Sequence, residues 1–377
     1  MDDIKKLSKD DLLLKCKNLN ISGCSSKNKS QLIELLENKL IQIIDEPEIN
    51  NIKPEINNIK PETNNIKPET NNIKPEINYI KPVIKWVGGK TQIIKQVIEN
   101  FPTEINNYHE LFLGGGSVLL ALLQNVEEKK IKLTGSINAY DINETLINLY
   151  INIQKKPDDV LTEIKKIINI FTDLKGTEIN RKPKTLIEAK SSQESFYYWI
   201  RSSFNKLKKE DKNSPLGTAY FIFLNKTCFR GVYREGPNGF NVPFGHYNNP
   251  EIINDDHIHS ISKLIKNVNF IHSDFAKSFS HMKDINNNDF LYLDPPYAPE
   301  NDKSFVGYTA GGFILEQHEL LFSLCKKYKF LMSNADVDLV KNSFTDKKYS
   351  IKIISCKRSI NSKNPEAKTN EVLIKSY

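Results

Sequence analysis

"ELFLGGGSVLLALL", residues 110–123, sets the fold class of this chain. An apolar run closes at Phe112–Leu113, three glycines follow, and a helix is predicted to begin at Ser117. Glycine lets a backbone approach a ligand closely, and the first turn of the helix points its unpaired N–H groups at the same place. The pattern returns in "SINAYDINETLI", residues 136–147, where a strand-like run ends at Asp141 and another helical run follows. An acidic residue at such a strand end can accept hydrogen bonds from a ribose diol. Further β-like runs are "YHELFLG", "NVNFIHSD", "DFLYLD", "KFLMSNA", "SIKIISCKR" and "NEVLIKSY". Helical runs such as "SVLLALLQNV", "ETLINLYINIQ" and "LEQHELLFSLCKKY" lie between many of them. Alternation of this kind predicts an α/β sheet with helices on both faces.

The bulk numbers narrow the classes. With 377 residues, 39% hydrophobic and 26% charged, the chain can build two or three domains and a sizeable core. It holds no apolar run of membrane-spanning length, and its charged start has no signal-peptide core. An intracellular protein with no membrane attachment is expected. Cys16, Cys24, Cys228, Cys325 and Cys356 are scattered and never spaced as C-x-x-C, and no H-E-x-x-H occurs. A disulfide framework, a structural zinc site and a metal hydrolase are therefore not expected. The net charge of +7 suits an anionic partner such as nucleic acid, although proteins with neutral substrates are also this basic.

Three zones differ in composition. In residues 1–44, "LSKDDLLLKCKNLNI" and "SKNKSQLIELLENKLIQII" read as short amphipathic helices, joined by a turn at Gly23 and started by Ser8 and by Ser26 or Ser30. Lys27 and Lys29 stand just before the second helix, where backbone N–H groups also favour phosphate. The layout resembles the SAP module, a small helical DNA-binding unit; a helical hairpin for protein contacts is the other reading. Residues 45–82 carry the heptapeptide "NNIKPEI/T", four times and then degenerate. One proline and one Lys–Glu pair per repeat, with a single apolar residue, build no core, so this segment reads as an extended tether. Residues 83–377 form the α/β region, within which residues 155–265 look polar, aromatic and loop-rich, an inserted subdomain.

Two more motifs carry chemistry. In "IKWVGGKTQII", residues 84–94, Trp86, a Gly-Gly turn and Lys90 precede a helix and offer an aromatic and a cation to a pocket. In "LYLDPPY", residues 291–297, an aspartate leaves a strand at the edge where α/β folds bind ligands. Two prolines stiffen the exit and keep it out of the ladder. A carboxylate and the next carbonyl side by side suit an amino group with two hydrogens to donate. Tyr297 adds a flat face for a base. There is no G-x-G-x-x-G and no Walker lysine, so NAD and ATP fit less well.

The order Trp-x-Gly-Gly-Lys, Phe-x-Gly-x-Gly, Asp-Ile-Asn, Asp-Pro-Pro-Tyr resembles the Dam-type DNA adenine-N6 methyltransferases across residues 83–377, with "NGFNVPFGHY", "FILEQHELL", "MSNADVDLV" and "KRSI" as further matches. The resemblance implies a Rossmann-like S-adenosylmethionine-dependent methyltransferase sheet with a target-recognition insert, acting on double-stranded DNA without a metal. It implies that Trp86, Lys90 and Asp141 contact S-adenosylmethionine, that Gly114 and Gly116 shape its pocket, and that Phe112 packs nearby. Asp294 would touch cofactor and target amine, Pro295 would lend its carbonyl, Pro296 would hold the turn, and Tyr297 would stack on a flipped adenine. In "FLNKTCFRGVYREGPNGFNVPFGHY", residues 223–247, the resemblance implies a DNA-reading β-hairpin, with Phe229, Arg230, Tyr233 and Arg234 suited to base, phosphate and intercalating contacts. Several relatives that read GATC carry asparagine where Arg230 stands. Arginine pairs best with guanine, so GATC or a related palindrome such as CATG is expected. Lys357 and Arg358 read either as a phosphate contact or as a surface turn. A cytosine-N4 methyltransferase would use the same amine geometry, an inactive DNA-binding protein would keep the fold alone, and a cognate restriction endonuclease is compatible with the activity as a partner.

Overall fold

The computed structural model describes residues 12, 27–32, 78–282, 286, 288–299, 313–357 and 368–377. The chain divides into two units, Met1–Lys74 and Pro75–Tyr377.

In the first unit Leu12 and Leu32 are buried. The second amphipathic segment starts at neither Ser26 nor Ser30. Asn28 is its cap: Asn28 Oδ1 accepts from Gln31 N at 3.0 Å, and Gln31 Oε1 accepts in return from Asn28 N at 3.1 Å. This reciprocal pair satisfies two otherwise unpaired N–H groups, and Ser30 falls inside the first turn it opens. Lys27 and Lys29 flank the cap. Most of both amphipathic segments, the repeats up to residue 77, and Arg358 lie outside the described residues.

The second unit is a mixed α/β fold around a seven-stranded sheet. Its strands are β1 (Tyr108–Glu110), β2 (Ile137–Asp141), β3 (Val268–His272), β4 (Phe290–Leu293), β5 (Phe330–Ala335), β6 (Ser350–Lys357) and β7 (Lys368–Lys375). Their spatial order is β3-β2-β1-β4-β5-β7-β6, with β7 antiparallel to both neighbours and the other pairs parallel. Every β-like run of the sequence holds one of these strands. Alternation explains their apolar character. On β4, Phe290 and Tyr292 enter one buried cluster, and Leu291 and Leu293 enter the other. Leu331 and Leu373 share the first face, while Phe330, Met332, Val372 and Ile374 share the second. A strand covered on both sides has no solvent face and so reads as a continuous apolar run.

The strand order reverses between β1 and β4, and in such sheets the crevice beyond the strands' C-terminal ends is where ligands sit. Helices α1 (Ile94–Ile98), α2 (Ser117–Glu127) and α3 (Glu144–Lys155) line the first face. Asn143 caps α3 by accepting from Leu146 N at 3.0 Å.

The insert is helical rather than loop-rich. It holds α4 (Pro157–Asp173), α5 (Gln193–Lys206), α6 (Pro215–Thr227) and α7 (Asp255–Leu264). In α4, Val160, Leu161, Ile164, Ile167 and Phe171 are buried, a three-to-four-residue stripe beneath a surface of lysines and acids. The stripe joins the core of the sheet's first face, so the insert shares that core. The hairpin is short: Glu235–Gly236 pairs antiparallel with Gly239–Phe240. The folded unit also begins ahead of Val83, because Tyr79 and Ile80 pack on the core and Ile80 N donates to Gln124 Oε1 at 2.7 Å.

Candidate active site

Three carboxylates meet at the C-terminal edge of the sheet because three adjacent strands end there. Asp141 closes β2, Glu110 closes β1, and Asp294 follows β4. Asp141 is tied to the glycine turn. Its Oδ2 accepts from Gly114 N at 2.9 Å and its Oδ1 from Asn143 N at 2.9 Å. Burial nevertheless raises its pKa above the usual carboxylate value. Glu110 is buried and accepts from Tyr108 Oη at 2.6 Å. Burial, with the charges of Asp294 and Asp141, pushes its carboxyl up to about 8.

Asp294 is paired on one side only. Its Oδ2 lies 2.7 Å from Lys90 Nζ, and Lys90 is just 4% exposed. Its Oδ1 is buried with no hydrogen-bond partner among the described residues. Burial raises the Asp294 carboxyl to about 6, against the opposing pull of Lys90. Lys90 is itself fixed by the Gly-Gly turn: its ammonium donates to Gly88 O at 2.6 Å, and its backbone N–H to Ser117 Oγ at 3.2 Å. The structure therefore seats Lys90 on Asp294.

The turn itself needs glycine. Gly116 has φ +74°, and a Cβ there would come 2.6 Å from Tyr150 Oη, which donates to Gly115 O. A Cβ on Gly114, at φ +50°, would meet Trp86 Cδ1 at 3.0 Å. Trp86 thus lies against the turn, and Phe112 turns to the other face, stacked on Phe275 with centroids 5.8 Å apart.

After Asp294, Pro295 is buried and Pro296 half-buried. Ala298 N donates to Asn334 Oδ1 at 3.0 Å, and Tyr297 Oη donates to Glu371 Oε2 at 2.7 Å. The Lys90 ammonium sits 5.0 Å from the Tyr297 ring centroid. Asp294, Lys90 and Tyr297 are therefore one cluster.

The insert meets this site through aromatics. Tyr233 stacks on Trp86 at 5.5 Å and packs edge-on to Phe221 at 5.5 Å. Its ring joins the Trp86 segment to the insert instead of facing outward with its neighbours. Phe229 is 49% exposed, Arg230 lies over its ring at 5.1 Å, and Arg230 takes a left-handed φ of 57°. Arg234 is exposed and donates from Nε to Asn241 Oδ1 at 2.6 Å. Asn225 locks the two segments: it accepts from Lys85 N at 2.8 Å and donates to Lys85 O and Gly231 O.

Residues 86–360 match the family of D12 class N6 adenine-specific DNA methyltransferases. The chain belongs to that family. Among its relatives, the Type II methyltransferase M.MjaIII of Methanocaldococcus jannaschii is 36% identical over 308 residues, spanning 78% of this chain and 98% of that protein. The DNA adenine methylase of Haemophilus influenzae is 29% identical over 290 residues, 75% of this chain and 88% of that one. The Type II methyltransferase M.CviBI of Paramecium bursaria Chlorella virus NC1A is 28% identical over 306 residues, 78% and 98% of the two chains.

This D12 methyltransferase is thus an adenine-specific DNA methyltransferase with S-adenosylmethionine as methyl donor, and the match decides adenine over cytosine. The residues present fit that cofactor. Asp141 is fastened to the glycine turn through Gly114 N, and the turn keeps side chains clear of the crevice. Glu110, Asn225, Asn334 and Glu371 were not singled out in the sequence. Glu110 had a local signal as an acid embedded in the apolar run ahead of the glycines, and Asn334 lies at the end of the apolar run in "MSNADVDLV".

Proposed function

We propose that this D12 methyltransferase flips its target adenine out of the duplex and holds the exocyclic amine between Asp294 and the Pro295 carbonyl, with Tyr297 against the base. The supporting observation is Asp294 Oδ1, a buried acceptor with no hydrogen-bond partner among the described residues, in the crevice where the sheet order reverses. An amine inside a duplex is out of reach, so the base must leave the stack. Its nitrogen lone pair is delocalised into the ring. Two acceptors on its hydrogens localise that pair and stabilise the positive charge that develops. When bound, S-adenosylmethionine supplies a methyl group already activated as a sulfonium. Lys90 keeps Asp294 ionised. Asp141 and Trp86 beside Gly114–Gly116 shape the cofactor's seat, and Phe112 packs behind the turn.

The insert reads the DNA in this proposal. Phe229 and Arg230 stand exposed just after α6, and Arg234 is exposed ahead of the hairpin, with GATC or CATG as the word. Sequencing modified bases on DNA treated with the purified enzyme is expected to show N6-methyladenine within one short palindrome; N4-methylcytosine would refute it. Arg230→Ala is expected to lower discrimination at one base pair roughly ten-fold, the scale of one bidentate contact. Uniform loss at all sequences would make Arg230 a phosphate contact.

We also propose that residues 1–44 form a SAP-like DNA anchor, through Lys27 and Lys29, on a repeat tether. Deleting residues 1–74, the whole first unit, is expected to weaken binding to long DNA and to leave methyl transfer to a short duplex intact. Loss of transfer to the short duplex would overturn the tether. A cognate restriction endonuclease fits the Type II naming of the relatives.

A further inference from the structure

Tyr297 is held from its far end. Glu371, which accepts the phenol hydrogen at 2.7 Å, comes from the antiparallel strand β7. The register sets Glu371 opposite Ala335, at the end of β5. The neighbouring Asn334 accepts from Ala298 N. The end of β5 and the middle of β7 thus grip both the side chain of Tyr297 and the backbone just beyond it. On the near side, the Lys90 ammonium lies 2.7 Å from Asp294 Oδ2 and 5.0 Å from the Tyr297 ring. Two carboxylates therefore bracket one ammonium and one phenol.

We propose that Glu371 is a positioning residue for methyl transfer. By taking the Tyr297 hydroxyl it fixes the plane against which the target base rests, and its charge tunes the Asp294–Lys90 pair. This rests on the roles of Asp294 and Tyr297 proposed above. The torsion that turns a tyrosine ring is broad, so an unanchored ring lets the base, and its amine, drift from Asp294 Oδ1. Misplacement on the ångström scale can cost about 10²-fold in rate. Among the described residues, Lys90, Glu371, Glu110, Tyr292 and Tyr297 are the titratable groups around Asp294. Among them, Lys90 lowers and Glu371 raises the Asp294 carboxyl pKa.

The test measures methyl transfer from S-adenosylmethionine to the enzyme's own duplex word between pH 5 and 9, with thermal unfolding and cofactor binding as controls. Glu371→Ala is expected to lower kcat roughly ten-fold, the scale of one hydrogen bond to a charged group, with cofactor affinity retained. Combined with Tyr297→Phe it should lose no more than the worse single variant, because both remove one bond. Glu371→Gln keeps an acceptor and loses the charge. It should retain most of the rate at pH 8 and move the acid limb of kcat to lower pH. Additive losses, or an acid limb unmoved in Glu371→Gln, overturn the inference. If Glu371→Ala does not fold, Glu371→Gln and Tyr297→Phe carry the same test. Full activity in Asp294→Ala would instead overturn the catalytic reading beneath it; an inactive Asp294→Ala beside unaffected Glu371 variants would overturn the inference alone.

Discussion

Asp294→Ala is expected to reduce methyl transfer by about 10²–10³-fold, the cost of removing one oriented group that stabilises developing charge. The reacting amine must give up delocalisation to attack. Each acceptor on its hydrogens is worth more in a dry crevice than in water, because no solvent competes. Asp294 Oδ1 is buried and meets no other donor among the described residues, so nothing nearby replaces it. The substitution also strands Lys90, which keeps Gly88 O as an acceptor. Asp294→Asn separates the two effects. Its amide retains one acceptor oxygen but cannot balance the ammonium, so it should fall between the wild type and Asp294→Ala. Single-turnover transfer of a labelled methyl group to a short duplex, with thermal unfolding as a folding control, provides the readout. A folded Asp294→Ala enzyme within ten-fold of the wild type would remove Asp294 from the chemistry.

The strand ends that build this candidate site are legible in the sequence for a physical reason. A parallel strand buried on both faces is an apolar run, and the polar residue that closes it marks the edge where ligands bind. Asp141 and Asp294 are such residues. Glu110 hid because Leu111, Phe112 and Leu113 continue the apolar run past it, which placed the strand end at Phe112–Leu113 when β1 closes at Glu110. The helical insert was hidden differently. The stripe from Val160 to Phe171 is diluted by aspartate, threonine, lysine and asparagine on the exposed side of α4, so the segment reads as polar loop. Glu371 and Asn225 leave no local trace. Glu371 reaches Tyr297 across 74 residues, and Asn225 reaches Lys85 across 140. Only the strand register and the docking of α6 bring them together. Tyr233 shows the converse limit: a tyrosine beside exposed arginines looks DNA-facing until Trp86 is found stacked on it.

Lys90→Met should move the pH dependence of the enzyme rather than simply abolish it. The ammonium is the group that holds the buried Asp294 carboxyl down at about 6, while burial and Glu371 push it up. An adjacent opposite charge is worth about 1–3 pKa units, so the variant's acid limb should rise by about two. At pH 6 the ionised fraction, and with it kcat, then drops roughly fifty-fold, and most of the rate returns by pH 9. Lost cofactor contact alone would lower the rate at every pH, so recovery in alkali distinguishes the two. Stability should change in the opposite direction. Breaking a buried pair ordinarily costs about 3–5 kcal/mol by leaving a naked charge. Here the carboxyl takes up a proton instead, which costs about 1.4 kcal/mol for each pH unit above its ordinary pKa and stops growing at the folded value. The folded pKa of Asp294 already lies above its ordinary 3.8, and the variant raises it further. The stability this group contributes is therefore present in acid and lost as pH rises through the folded value. Lys90→Met should thus melt closest to the wild type at low pH, where it is least active, and furthest from it at high pH, where it works best. An acid limb that stays at about 6 in the folded variant would mean that Lys90 does not control the charge of Asp294.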